Sequence, residues 1–193
     1  MNQSQSNLRK VIICALFAAI TAVLAQVEVP LPLVPISGQT LGVGLTATII
    51  GSKLGAIAMI CYAALGVVGA PVFAGFSGGA QVLIGPTGGY IFGFILTAFV
   101  TGLILERTSF TFSMAIVANI AGMIITLLCG TIQLKFVLDL NWSLALASGV
   151  YPFIVVGLMK AVLASWIGIL LRNRLIRANI LLRRKVLEIL IAF

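Results

Sequence analysis

The sequence predicts an all-α integral membrane bundle of six transmembrane helices, with both termini in the cytoplasm. Three observations carry that expectation. Hydrophobic residues make up 61% of the chain and charged residues 8%, with mean hydropathy +1.23, whereas soluble domains carry charge on about a quarter of their residues. The apolar residues fall in long runs that suit a hydrocarbon core of about 30 Å. The few charges are asymmetrically placed, and they decide the number of crossings.

Spans are expected at about 11–27, 40–51, 54–70, 88–105, 110–134 and 150–171. Residues 1–10 are polar and end in Arg9 and Lys10, a beginning that resembles a secretion signal. The apolar run after them is too long for a signal core and more spans follow it, so it reads as a retained first helix. Pro30, Pro32 and Pro35 then oppose helix and favour extended chain. A tight turn at Gly51-Ser52-Lys53 separates the second and third spans, and a long Gly-rich loop covers 70–87. Glu106-Arg107 forms a charged break, and Trp142 in the polar stretch at 139–143 suits a membrane–water interface. The second span is short, because twelve helical residues cover only about 18 Å.

Merging 40–70 into one helix would leave five spans, and the basic residues judge against it. With six spans and the N-terminus inside, ten of the twelve Lys and Arg residues lie on the cytoplasmic side. They are Arg9, Lys10, Lys53, Arg107, Arg172, Arg174, Arg177, Arg183, Arg184 and Lys185. Lys135 falls outside and Lys160 within a span. Five spans would send the basic tail out. The net charge of +8 is therefore mostly topological. Residues 172–193 form a basic cytoplasmic tail attracted to anionic lipid, its end lying along the interface. Membrane lipid is thus an expected partner, and nucleic acid is not, since no basic face interleaved with aromatics is present.

Chemistry narrows the function. The chain has no histidine, which removes His-based nucleophile activation and His metal sites. Its four acids, Glu28, Glu106, Asp139 and Glu188, lie at or beyond span ends, so no carboxylate relay for proton-driven transport sits inside the bundle. There is no GxxxxGK[ST] phosphate loop. Cys14, Cys61 and Cys129 are scattered through the spans without CxxC spacing and read as small packing residues. No catalytic residue, metal site or cofactor is expected, and the chain is not an enzyme. A passive channel or facilitator, and a capture subunit powered by other proteins, remain.

Three features could carry function. Lys160 lies among apolar residues, twelve positions before Arg172, or about 18 Å along a helix. Burying it costs at least a few kcal/mol unless it is partnered. It either snorkels outward, pairs with Asp139 or Glu28, or meets an anionic ligand group in an outward cavity. The segment 69–90 carries no charge. Its glycines permit tight turns, and Phe73, Phe76 and Tyr90 offer flat apolar surface, which suits a lid over a small heterocycle as well as an ordinary connection. In the first span, Ala15, Ala18, Ala19 and Ala22 form a small-residue strip that lets a helix approach closely, from this bundle or from another protein.

Taken together, Val34-Pro35-Ile36-Ser37-Gly38-Gln39-Thr40-Leu41, the stretch from Gly66 to Gly75, Gly85-Pro86-Thr87-Gly88-Gly89-Tyr90, and Pro152-Phe153-Ile154 with Gly157 and Lys160 resemble the BioY family. Its members are the biotin-binding substrate-capture (S) components of energy-coupling-factor (ECF) vitamin transporters. The likeness covers most of the chain and is most specific in GPTGGY with the upstream PVFAGF. It implies that residues 1–193 form a single transmembrane substrate-capture domain in the cytoplasmic membrane of a prokaryote. It also implies a biotin pocket near the outer surface, and docking on a transmembrane coupling subunit driven by two ATPase subunits. The resemblance assigns ligand holding to Lys160 and docking to an alanine motif like Ala15–Ala19, with Ala22 on the same strip. Many members carry an acid three residues before the lysine, where this chain has Gly157; Gln39, Tyr90 and Asn119 are each candidates for the polar ring contact. The candidate substrate-binding set is Lys160, Tyr90, Thr87, Gly85, Phe73, Phe76, Gln39 and Asn119. Capture of another vitamin or small anion by the same architecture, or a self-sufficient facilitator, are the alternatives.

Overall fold

The computed structural model describes residues 3–178, and within them the chain is almost wholly helical. Helix α1 (Gln3–Ala25) leads into a two-residue hairpin, β1 (Glu28–Val29) and β2 (Ile36–Ser37), paired antiparallel with Glu28 opposite Ser37. The three prolines sit in or beside the loop of this hairpin. Helices α2 (Gln39–Ile50) and α3 (Ser52–Val67) follow, then a 3-10 turn (Ala74–Phe76) and short α4 (Ala80–Ile84). The remaining helices are α5 (Gly88–Arg107), α6 (Phe112–Val137), α7 (Trp142–Gly149) and α8 (Tyr151–Arg177).

Four helical stretches are long and apolar enough to cross a membrane: Asn7–Ala25, Gly88–Arg107, Phe112–Val137 and Trp142–Arg177. α2 and α3 are apolar but shorter. The surface confirms the membrane reading by inversion. Large apolar side chains such as Leu16, Val23, Phe99, Leu128 and Trp166 are exposed, while Thr21, Thr46, Thr48, Thr97, Thr101, Asn119, Thr126 and Ser165 are buried. In lipid, helices associate through close packing and polar contacts rather than by burying oil, so the polar groups turn inward. Between α5 and α6, Thr97 Oγ1 donates to the Gly122 carbonyl at 2.7 Å and lies 2.7 Å from Thr126 Oγ1; Thr101 bonds the Ala118 carbonyl.

The shortness of α2 has a structural reason. α2 packs against α1, α3, α5, α6 and α8, and nine of its twelve residues are buried. A helix enclosed by protein need not match the bilayer, and its small residues admit its neighbours: Gly42 meets Thr21, and Gly44 meets Asn119 and Ala164.

The break between α2 and α3 is equally specified. Gly51 has φ +83°, a conformation that a side chain resists, and a Cβ there would strike the Glu106 carboxylate. That carboxylate accepts from the Ser52 amide at 2.7 Å and from the Ser52 hydroxyl at 2.6 Å, capping the positive N-terminus of α3. On the other side of the break, Arg172 donates to the Ile49 carbonyl in the last turn of α2 and stacks 3.5 Å over the Phe110 ring. An anion at a helix start and a cation at a helix end both complement the helix dipoles. Arg172 therefore belongs to the bundle interior, not to a solvated tail: it is buried, and α8 runs on to Arg177. The interfacial segment expected beyond it, with Arg183, Arg184 and Lys185, lies outside the described residues.

Three further expectations need correction. The loop at 70–87 contains α4 and the 3-10 turn, the latter closed by Ser77 Oγ donating to the Ala74 carbonyl. The polar stretch at 139–143 opens α7, capped by Asn141 accepting from the Leu144 amide at 2.8 Å. Of the cysteines, Cys14 is buried and Cys129 half-buried, but Cys61 is exposed on α3.

Candidate functional site

A cavity of about 270 Å³ opens between α2, α5, α6 and α8, with the hairpin and the 70–87 segment over one end. Its walls are helical stripes. α5 supplies Tyr90, Ile91, Phe94 and Thr97; α6 supplies Asn119, Met123, Thr126 and Leu127; α8 supplies Phe153, Val156, Gly157, Lys160, Ala161 and Ala164. These spacings of three and four residues each define one face of a helix. Val43 and Gly44 of α2, Val34 and Pro35 of the hairpin, and Ala74 and Val82 of the lid add apolar surface, and Ser77 a hydroxyl.

Lys160 is the one charged residue on this lining. Its ammonium donates to the Ser37 carbonyl at 2.6 Å and to Thr40 Oγ1 at 3.3 Å. The pairing with Asp139 or Glu28 that the sequence allowed is not made; Glu28 lies beside Gly75 of the lid. Two neutral oxygens engage two of the three ammonium donors and leave the positive charge uncompensated, at the lid end of an apolar chamber.

Asn119 lies deeper and is only 6% exposed. Its Nδ2 is within hydrogen-bond distance of the Ala115 carbonyl (2.9 Å), Thr48 Oγ1 and Ser165 Oγ (both 3.1 Å). The Ser165 hydroxyl already donates to the Ala161 carbonyl, so towards Asn119 it acts as an acceptor. The amide orientation follows: the NH2 end faces these three oxygens and Oδ1 is left over Gly44, itself on the cavity wall. Ser165, the Asn119 partner on α8, stands five residues beyond Lys160, a rise of about 7.5 Å along the helix axis.

The other sequence candidates divide. Phe73, Thr87, Tyr90 and Gln39 line the cavity. Phe73 is 1% exposed; its ring fits against Gly66, where any Cβ would overlap it, and meets the Tyr62 ring edge-on at 5.5 Å. Tyr90 packs on Gly130, and its hydroxyl donates to the Gly149 carbonyl at 2.9 Å, so it presents ring rather than hydroxyl. Gln39 has both ends of its amide engaged within the protein. Gly85 and Phe76 are not on the lining. Gly85 ends α4, and its carbonyl accepts from Gln133 Nε2 at 2.8 Å; Phe76 is 70% exposed. At Gly157 the Met123 thioether fills the space a side chain would enter.

Sequence reasoning named one member of each of the α5 and α6 stripes, Tyr90 and Asn119, and missed the rest, although Asn119, Met123, Thr126 and Leu127 stand at i, i+4, i+7 and i+8. In a chain this apolar every helix face looks alike, and the period alone does not say which face meets a cavity. Of the alanine strip, Ala15 and Ala19 are exposed, Ala22 is half-buried and Ala18 is buried in the bundle.

Such a chamber suits a small molecule with an anionic end, an apolar body and a polar edge. Comparison with known proteins gives the same direction. A biotin transporter BioY2 of Lactococcus lactis subsp. cremoris is 37% identical over 174 residues, covering 90% of this chain and 96% of its own. The biotin transporter BioY of Thermotoga maritima is 42% identical over 166 residues, 86% of this chain and 97% of its own. A crystal structure of the S-component for biotin from an ECF-type ABC transporter superposes with a TM-score of 0.80 at 28% identity, covering 90% of this chain and 95% of that one. The model of the BioY family matches residues 1–177, and the chain belongs to that family.

Proposed function

We propose that this protein captures biotin as the substrate-binding S component of an ECF transporter and delivers it across the cytoplasmic membrane of a prokaryote. The observation that carries this reading is the single uncompensated cation of Lys160 in an otherwise uncharged, lidded apolar chamber. Biotin has a carboxylate tail, an apolar bicycle and a ureido edge rich in N–H donors. Lys160 takes the carboxylate, Phe73, Tyr90 and the aliphatic walls enclose the bicycle, and Asn119 Oδ1 accepts from the ureido edge in place of the acid absent at Gly157. Thr87 and Gln39 complete the wall at the lid end.

The helix order supports six crossings. α1, α2, α3, α5, α6 and α8 run alternately between the lid end and the opposite end. Lys53, Arg107, Arg174 and Arg177 gather at that opposite end, which makes it cytoplasmic and puts both termini inside. Calorimetric titration of the purified protein with biotin tests the proposal: one-to-one saturable binding is expected. Heat with another small anion and none with biotin would move the site to a different ligand of the same charge.

The chain has no ATP-binding loop of its own, so transport draws on a transmembrane coupling subunit and two ATPase subunits. Exposed Ala15 and Ala19 on α1, with Ala22 beside them, are the proposed contact. Replacing both Ala15 and Ala19 with tryptophan is expected to leave biotin affinity within about twofold, because neither lines the cavity, while abolishing co-purification of the coupling subunit. A complex that still assembles at wild-type yield would remove α1 from the interface.

A further inference from the structure

Tyr62 on α3 does not reach the cavity, yet it joins two parts of the site that are separate in sequence. It is wholly buried. Its hydroxyl donates to the Val72 carbonyl at 2.9 Å, at the base of the lid, and accepts from Gln39 Nε2 at 2.6 Å. Gln39 Oε1 accepts from the Ser37 hydroxyl at 2.6 Å, and the Ser37 carbonyl accepts from Lys160. The direction of every link is set from one end. A carbonyl at Val72 can only accept, so Tyr62 must donate to it and accept from an amide NH2. That orients the Gln39 carboxamide with its oxygen towards Ser37, whose hydroxyl must donate. Two other side chains fasten the lid without touching this chain: Gln26 bonds Phe73 and Phe76, and Gln133 bonds the Leu83 and Gly85 carbonyls.

We propose that Tyr62 is a positioning residue that, through Gln39 and Ser37, holds the Lys160 cation and the lid in one register, so that carboxylate recognition and lid placement are coupled. A buried network in which each member has a single allowed direction resists local rearrangement more than separate bonds do. The Ser37 carbonyl is thereby pinned under the ammonium, and a preorganised charge discriminates best for its counter-ion. The inference rests on the reading of the cavity as the biotin site.

The test compares biotin with biotinamide, its carboxylate neutralised, on the purified full chain and four variants. Tyr62→Phe keeps the ring against Phe73 and removes the hydroxyl. It is expected to lower the ratio of biotin to biotinamide affinity roughly three- to tenfold, the worth of one buried hydrogen bond, and to speed biotin release. Ser37→Ala breaks the chain at its other end, leaves the Tyr62–Val72 bond in place and is expected to lower the ratio equally. The double variant should be no worse than either single one. Gln133→Met loosens the lid where it has no link to Lys160; it should speed release and leave the ratio unchanged. An unchanged ratio in Ser37→Ala, effects that multiply in the double variant, or an equal fall in Gln133→Met would each overturn the proposal. If Tyr62→Phe fails to fold, Ser37→Ala against Gln133→Met still decides it. Absence of biotin binding by the unmodified protein would instead defeat the ligand reading itself.

Discussion

Lys160→Ala is expected to weaken biotin binding by about 2–5 kcal/mol, or some thirty- to several-thousand-fold, the cost of leaving a desolvated charge without its counter-ion. For biotinamide the same substitution is expected to cost less than tenfold, since only packing of the lysine stem is lost. Titration of both ligands against both proteins reads the difference directly. The asymmetry follows from the site: within the cavity lining Lys160 is the single charge, and its present partners are a carbonyl and a hydroxyl, which orient the ammonium without neutralising it. Equal losses for the two ligands would mean that the lysine contributes shape alone.

The second large effect is on stability. Arg172→Leu removes the donor to the Ile49 carbonyl and the group stacked on Phe110. It also strips a compensating positive charge from the surroundings of Glu106. Deleting one member of a buried charged cluster costs about 3–5 kcal/mol, so a drop in detergent melting temperature is expected. The cavity lies at the other end of α8, so the fraction that remains folded should bind biotin within about threefold of the unmodified protein. Arg172→Lys should recover only part of the loss, because an ammonium keeps the charge but not the planar face that covers Phe110. Melting of Arg172→Leu at the unmodified temperature would show that the α2–α3 break is held by Gly51 and Glu106 alone.

Legibility from sequence differed between the two ends of the molecule. Lys160 stood out because a charge inside an apolar run has few physical explanations, and the structure brings it to a cavity. Phe73 and Tyr90 were named for their rings, and both line that cavity. Phe76 had the same chemistry and faces outward, because Gly75 and Phe76 both adopt positive φ and turn its side chain out of the lid. Arg172 was read as one more basic residue near a membrane surface. Its burial depends on the Ile49 carbonyl and the Phe110 ring, which arrive from segments 123 and 62 positions away in the chain. Gln39 was placed at the site by its neighbourhood in sequence, but the engagement of both ends of its amide depends on Tyr62, a residue with nothing unusual around it.

The amino-acid sequence alone determined that the chain is built for a membrane, how unevenly its charges fall along it, and that one lysine stands inside an apolar run. Each of these rests on composition or on distance along a helix, quantities that do not depend on how helices meet. Which faces surround the cavity, which way the Asn119 and Gln39 amides point, and which arginine is interior were decided only by tertiary packing. In a chain whose helices are apolar on every side, burial is set by which helix lies next to which, and no local pattern encodes that.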